Sequence, residues 1–429
     1  MGAAPCLCGA VSAPRELGEK FMSTGKLALE GGAPVRRTPL PQRKPFGEEE
    51  VELASQALRS QNLFRWGGTF VGQLEERFAE FYGAGGAAAC TSGTASLHLA
   101  MGVINPDPGD EVITAPITDL GSVIPILYQG AIPIFADVDP GTGNMDPDDA
   151  EAKITSRTRA IMVIHLFGSP APMDRFLAIA RKHSLPLIED ASQCHATRCH
   201  GRYAGTFGDI SCFSLQQSKH MTCGDGGIAI SPDAKTADTM RLFSDKGWVR
   251  GGSGPRGYVL HGPNYRMTEL HAAVALAQLK KVRSVVERRM ALGDYLNRLL
   301  AEVKNVRTPP RSPEVEHSYW LYPLRLLEHD TGRFAKALQA EGIPAGAGYI
   351  GKPIYLCATS LSEKKTLGRS HWPFDAPGSR QIEYTAGMCP RTEEFLKHLV
   401  TLSIHEHMAE RDMEDYAEAI SKVARLLAP

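Results

Sequence analysis

The sequence predicts an α/β fold, a mainly parallel sheet flanked by helices with a smaller C-terminal α/β domain. Three observations predict it. From about Glu49 the chain alternates between helical and strand periodicity. Its strand-like runs are short, apolar and unbroken, as strands covered on both faces are. The Pro309-Pro310 pair then marks a boundary, beyond which a second, shorter set of elements follows. The expected division is a disordered extension at 1–21, a segment at 22–48 contacting the small domain, a large domain at 49–305 and a small domain at 306–429.

Taken in order, Glu49 to Ser60 and Gly72 to Tyr82 read as amphipathic helices. Thr94 to Val103 reads as a helix that opens straight after Thr91-Ser92-Gly93. Strand-like runs follow at Val112-Ile113-Thr114, Ile132 to Phe135, Ala160 to His165, Leu185 to Ile188, Ile210 to Phe213 and Gly227 to Ile230. Helical stretches separate the earlier runs, among them Met173 to His183 after Pro172. Thr268 to about Glu302 is a long helical pattern with one expected break. Leu270, Val274, Ala277, Val285 and Leu292 share a face there, with Lys281 the polar exception. Beyond Pro310, Tyr319 to Leu326 reads as a strand, Gly332 to Glu341 as a helix and His407 to Leu427 as a terminal helix.

The bulk numbers exclude several classes. A length of 429 residues allows a large core, and 43% hydrophobic with 22% charged residues is ordinary for a globular protein. The most apolar stretch, Val123 to Phe135, is broken by Pro125, Gln129 and Gly130, so no membrane span is expected. A formal charge of -1 argues against nucleic acid or anionic lipid as a partner. Nine scattered cysteines, an odd number, point to reduced thiols and a cytoplasmic setting. Residues 1–21 lack the apolar centre of a secretory signal and carry Glu16 and Glu19, and translation starting at Met22 is an alternative to Met1.

Lys219 carries the chemistry. It lies in Phe213-Ser214-Leu215-Gln216-Gln217-Ser218-Lys219-His220-Met221-Thr222-Cys223-Gly224-Asp225-Gly226-Gly227, just before a glycine-rich turn and downstream of the strand-end carboxylate Asp190. This arrangement suits pyridoxal 5′-phosphate held as a Schiff base. Lys219 supplies the amine, and Asp190 keeps the pyridine nitrogen protonated, so the ring accepts electrons. Ser92-Gly93-Thr94 stands at a helix start, where free N–H groups and the helix dipole favour a phosphate. Ser214 offers a hydroxyl near Lys219, and Gln193 is placed to reach the phenolic oxygen. Each has a plainer structural reading: Asp190 and Ser92 as helix caps, Lys219 as a surface lysine. The three together favour cofactor binding. The run Cys194-His195-Ala196-Thr197-Arg198-Cys199-His200 raises a zinc site, but no second cluster stands at finger spacing and no metal is expected. His220 is read as a neighbour of Lys219 and not as the catalytic base.

The set Thr91-Ser92-Gly93-Thr94-Ala95-Ser96-Leu97, Glu189-Asp190-Ala191-Ser192-Gln193, Gly205-Thr206-Phe207-Gly208-Asp209 and Ser214 to Gly227 resembles the DegT/DnrJ/EryC1/StrS family of sugar aminotransferases. Gly262-Pro263-Asn264-Tyr265-Arg266-Met267 and Leu402-Ser403-Ile404-His405 continue the match, which runs from about Gly31 to the C-terminus. The resemblance implies the aspartate-aminotransferase fold (fold type I) and a homodimer with shared active sites. It places Asn264 at the cofactor phosphate of the neighbouring subunit. It implies amination of a keto-sugar or keto-cyclitol with nitrogen from glutamate or glutamine. Gln216-Gln217-Ser218 with Phe64-Arg65-Trp66 resembles the branch that includes scyllo-inosose aminotransferases. His317 and Tyr319 match a family segment near the site. Arg65, Lys352 and Arg391 are candidate anion contacts. One departure stands out: in Pro116-Ile117-Thr118-Asp119-Leu120-Gly121 the family's ring-stacking aromatic is replaced by Asp119.

The expected reaction is a ping-pong amine transfer in an aminosugar or aminocyclitol pathway, with Lys219 as general base. One alternative is a sugar dehydratase or epimerase-like enzyme on the same cofactor. Dehydrating relatives carry histidine in place of the lysine, and Lys219 is present here. The other is a non-catalytic regulatory relative, against which intact Lys219, Asp190 and Gln193 argue.

Overall fold

The computed structural model describes residues 25–251, 255–366 and 368–427. The expected disorder of 1–21 and the alternative start at Met22 fall outside the described residues. Strands β1 (Gly86–Cys90), β2 (Glu111–Thr114), β3 (Ile132–Phe135), β4 (Thr158–Ile164), β5 (Leu187–Asp190), β6 (Ile210–Ser214) and β7 (Gly227–Ser231) form one sheet. Their order across it is β1-β7-β6-β5-β4-β2-β3. From β6 to β3 every pairing is parallel, and β7 runs antiparallel to both its neighbours, so the sheet is mainly parallel. Crossover connections through helices put α-helices on its faces, and the strands are buried almost throughout.

β1 went unread in the sequence because Gly86-Ala87-Ala88-Ala89-Cys90 holds no β-branched residue. Its small side chains are what the packing requires. A Cβ on Gly86 would stand 2.7 Å from that of Ala237, on the helix Ala234–Ser244.

Helices α1 (Glu48–Arg59), α2 (Phe70–Tyr82) and α3 (Gly93–Ile104) precede or follow β1. Helix α4 (Met173–His183) has the bounds the sequence predicts. The long helix α5 (Glu269–Leu299) runs unbroken for 31 residues, about 46 Å, where a break was expected. Its polar residues find partners along the whole length, so nothing interrupts it. Glu269 accepts the N–H groups of Thr69, Phe70 and Val71 at 2.6–3.0 Å, placing a carboxylate on the start of α2. Lys281, the exception on the apolar face, pairs with Glu50 of α1 at 2.7 Å. Buried Arg289 pairs with Glu406.

A second, four-stranded antiparallel sheet has the order β8-β9-β11-β10, from β8 (Val306–Arg307), β9 (Tyr322–Leu326), β10 (Ala345–Ala347) and β11 (Leu399–Leu402). With α6 (Thr331–Ala340), α7 (Glu410–Leu426) and the end of α5 it encloses its own apolar core. The N-terminal stretch is tied to this part. Arg36 pairs with Asp412 and Asp415, and Lys422 reaches both Ala33 O and Glu341. The stretch from Ile354 to Cys389 behaves differently from the rest of 306–429. Ile354, Tyr355, Leu361, Phe374 and Tyr384 pack into the core of the large sheet, and Tyr384 OH donates to Pro133 O. Among the described residues no helix is long and apolar enough to cross a membrane.

Candidate active site

Asp190 closes β5 at the carboxyl edge of the parallel strands, the edge where α/β sheets bind ligands. Successive strand residues face opposite ways, so Glu189 and Asp190 serve different faces. Asp190 opens onto a cavity of about 430 Å³. Its Oδ2 accepts from Ser122 Oγ at 2.7 Å, and its Oδ1 from Ser192 N at 3.1 Å. Because Ser122 spends its one proton on Asp190, the 2.7 Å contact from Thr118 Oγ1 makes Thr118 the donor to Ser122.

Lys219 lines the same cavity. Its Nζ lies 3.8 Å from the centroid of the Trp320 indole. Burial pulls the amine down from 10.5 to about 8, and the charges of Asp190 and Asp119 oppose that shift only in part. A substantial neutral fraction near pH 8 follows. Beneath the lysine loop, His195 Nε2 donates to Ser214 O at 2.8 Å and His220 Nε2 to Ser318 O at 3.0 Å. Burial lowers both imidazoles, His195 to about 4 and His220 well below the usual range, which keeps them neutral pins.

Ser92 caps α3, its Oγ accepting from Ala95 N at 3.0 Å. Among the described residues nothing accepts the N–H of Gly93 or Thr94, the first two of the helix. The glycines around this cradle admit no side chain. A Cβ on Gly93 would meet Ser214 Cβ at 2.7 Å, one on Gly121 would meet Thr94 Oγ1 at 2.5 Å, and one on Gly227 would meet Ser92 O at 2.0 Å. Gln193 is held at both ends: its Oε1 accepts from Phe167 N at 2.7 Å, and its Nε2 donates to Tyr349 OH at 3.4 Å. Asp119 is exposed at the rim and accepts from Gly121 N at 2.8 Å.

The fold therefore brings Ser92, Gly93, Thr94, Asp190, Gln193, Ser214 and Lys219 into one cavity. It leaves three expected residues outside. Arg65 forms a two-pronged pair with Glu75 at 2.8 and 2.9 Å, which holds it away from the cavity. His317 and Tyr319 stack on each other at 4.1 Å, and the Tyr319 hydroxyl donates to Asp294. The expected strand begins only at Tyr322, since Tyr319 stands at φ 46 and turns its ring into the core of the four-stranded sheet. Asn264, expected at a neighbouring subunit's cofactor, is exposed, its backbone bridged to that of Asp245. The candidate anion contacts also lie off the cavity: Arg391 pairs with Asp146 and Asp137, and Lys352 is exposed. Among the described residues no cluster of three or more metal-ligating side chains exists.

Sequence reasoning missed Thr118, Ser122, Trp320 and Tyr349. Trp320 adjoins the matched Tyr319, and the hydroxyls of Thr118 and Ser122 lie in the loop after Pro116, so a local signal existed for those three. None existed for Tyr349, which reaches the cavity from beyond β10.

An amine, a facing carboxylate and a cradle of free N–H groups in one polar cavity suit a cofactor with an aldehyde, a ring nitrogen and a phosphate. The comparisons agree. The sequence profile of the DegT/DnrJ/EryC1/StrS aminotransferase family matches residues 45–421. The L-glutamine:2-deoxy-scyllo-inosose aminotransferase of Streptomyces kanamyceticus is 31% identical over 424 residues, covering 94% of this chain and 97% of that protein. The GDP-perosamine synthase of Caulobacter vibrioides is 37% identical over 287 residues, covering 64% of this chain and 75% of that one. The crystal structure of 3-amino-5-hydroxybenzoic acid synthase superposes with a TM-score of 0.77 at 29% identity, covering 91% of this chain and 99% of that one. The chain belongs to the DegT/DnrJ/EryC1/StrS aminotransferase family, pyridoxal-phosphate-dependent enzymes of fold type I.

Proposed function

We propose that the chain uses pyridoxal 5′-phosphate to move an amino group from glutamine or glutamate to the ketone carbon of a keto-cyclitol or keto-sugar. The observation that carries this reading is the shared cavity of Lys219 and Asp190, closed at one end by the free N–H groups of α3. Bound there, the cofactor supplies an aldehyde that condenses with amines and a protonated ring that takes up electrons from a substrate carbon. Lys219 would hold the aldehyde and, once freed, would move the proton at the reacting carbon as general base. Its lowered proton affinity leaves it free to accept that proton near neutral pH. Asp190, fixed by Ser122 and Ser192, would hold the ring nitrogen, and the N–H groups of Gly93 and Thr94 with the Ser92, Thr94 and Ser214 hydroxyls would hold the phosphate. Gln193, already immobilised, is offered to the phenolic oxygen.

The remaining wall is rich in hydroxyls, amides and carboxylates, including Thr118, Gln216, Ser218 and Asp225, which suits a polyhydroxylated acceptor. We favour a cyclitol like the scyllo-inosose of the Streptomyces kanamyceticus relative, matched over nearly the whole chain, with a nucleotide-linked keto-sugar as the other acceptor to test. A homodimer belongs to the reading. No arginine lines the cavity among the described residues, a lining that suits a second copy supplying a cation for the donor's α-carboxylate, and exposed Asn264 is free to face one. We place the enzyme in the cytoplasm; the described cysteines, all unpaired, support this.

The test is a screen of keto-cyclitols and nucleotide-linked keto-sugars with glutamine and glutamate, run on the native chain and Lys219→Ala. The native chain should show imine absorbance and transfer amine, and Lys219→Ala should lose both. Retention of either activity or absorbance in the variant ends the reading.

A further inference from the structure

The segment between Ser318 and Trp320 is built with more constraint than a strand entry requires. Tyr319 holds φ 46, and Gly168, at φ 98, lies so close that a Cβ on it would stand 2.9 Å from Tyr319 N and 3.0 Å from Trp320 N. His220 pins Ser318 O, and Asn297 and Asp294 hold the Tyr319 hydroxyl. A left-handed, non-glycine residue persists only where its surroundings over-determine it, and such places cluster at functional sites. The consequence of this one is directional: Tyr319 goes into the core of the four-stranded sheet, and Trp320 goes to the cavity.

There the indole is itself fixed. Its Nε1 donates to Ser218 O at 3.2 Å, the residue immediately before Lys219, and its edge meets Tyr349 at 6.2 Å and 86°. Tyr349 is braced by Gln193 and by Phe167, whose ring lies 5.0 Å away. The ring face left over receives the Lys219 amine, 3.8 Å from the centroid, and among the described residues that amine has no hydrogen-bond acceptor.

We propose that Trp320 is a positioning residue for the catalytic amine: its indole face is the resting place of Lys219 whenever that amine is not covalently engaged. An ammonium over a half-buried indole is held by the ring quadrupole without a carboxylate to trap it. The amine thus stays at the cavity as an ammonium, its proton held somewhat more firmly than burial alone would allow. The titratable groups facing it are Asp190 from β5, Asp119 from the loop after β2, His195 beneath it, and Asp225 and Tyr349 on the cavity wall.

The inference rests on Lys219 being the reactive amine, and its main test needs no substrate. The chain holds four tryptophans, so the emission of Trp320 is isolated as the difference between the native full-length protein and Trp320→Phe, both cofactor-free. That emission should change between pH 6 and 10 with a midpoint near the Lys219 value of about 8. Lys219→Met, compared directly with the native chain, should abolish the transition even if a Trp320 variant folds poorly. A flat titration, or one that survives Lys219→Met, overturns the proposal while leaving the aminotransferase reading intact. With cofactor and substrates present, the ascending limb of kcat against pH should move down by about one unit in Trp320→Leu and return in Trp320→Phe. An unmoved limb in Trp320→Leu overturns it as well.

Discussion

Two adjacent carboxylates at the end of β5 illustrate the difference between a group the fold uses and a group the site uses. Glu189 is sealed and saturated. Its oxygens accept from Gly205 N, Phe207 N, Gly208 N and Ser211 Oγ at 2.6–3.1 Å, and from His165 Nε2 at 2.9 Å. Because Ala171 N donates to His165 Nδ1, the imidazole proton sits on Nε2 and points at Glu189. Burial alone raises that carboxyl, but His165 and the N–H groups outweigh it and hold it below the usual range. Asp190, one residue on, accepts from two groups and faces a cavity. Same strand, same charge, opposite duties: the count of donors and the access to open space tell them apart.

Substitutions sharpen the contrast. Asp190→Asn keeps the shape and removes the charge, so amine transfer should fall by about 10²–10⁴-fold while the melting temperature barely moves. Steady-state rates beside a thermal melt check this, and a variant that unfolds while keeping its specific activity breaks the comparison. Glu189→Ala should do the reverse. It leaves three N–H groups and His165 without their acceptor and should cost about 3–5 kcal/mol in denaturant unfolding. The third prediction is smaller. Lys219 binds fewer protons in the folded protein than in the unfolded chain between pH 8 and 10.5, so stability rises across that window. Lys219→Met should therefore stabilise the cofactor-free protein by about 1–3 kcal/mol at pH 7, a gain that shrinks as pH climbs toward 10.5. Unfolding curves at pH 7 and pH 10 decide it; a destabilised variant at pH 7 would make Lys219 a structural lysine.

Much of this was legible in the residues themselves. The helix Met173–His183 follows from local periodicity, since its pattern defines the face it buries, and the strands Ile132–Phe135 and Ile210–Ser214 follow from short apolar runs buried on both faces. Ser92, Asp190 and Lys219 were found because strand ends and helix starts carry polar residues with a recognisable job. The misses share a cause. β1 is a strand only because β7 pairs with it, and its alanines carry no preference of their own. Tyr319 broke the expected strand because Gly168 and His317, distant or packed from the side, fix its backbone and ring. Arg65 left the site because Glu75, on the next helix, was nearer.

What the sequence determined by itself is the order of reactive groups: an amine, an acid and a helix start with free N–H groups, each set by its own few neighbours. What only the tertiary structure decided is which side chains surround that amine. Trp320 and Tyr349 come to Lys219 from elements more than a hundred residues away, aimed by backbone strain and by packing against Phe167. Local patterns encode the turn and the strand end. Side-chain direction between the two sheets depends on contacts that exist only after both cores have closed.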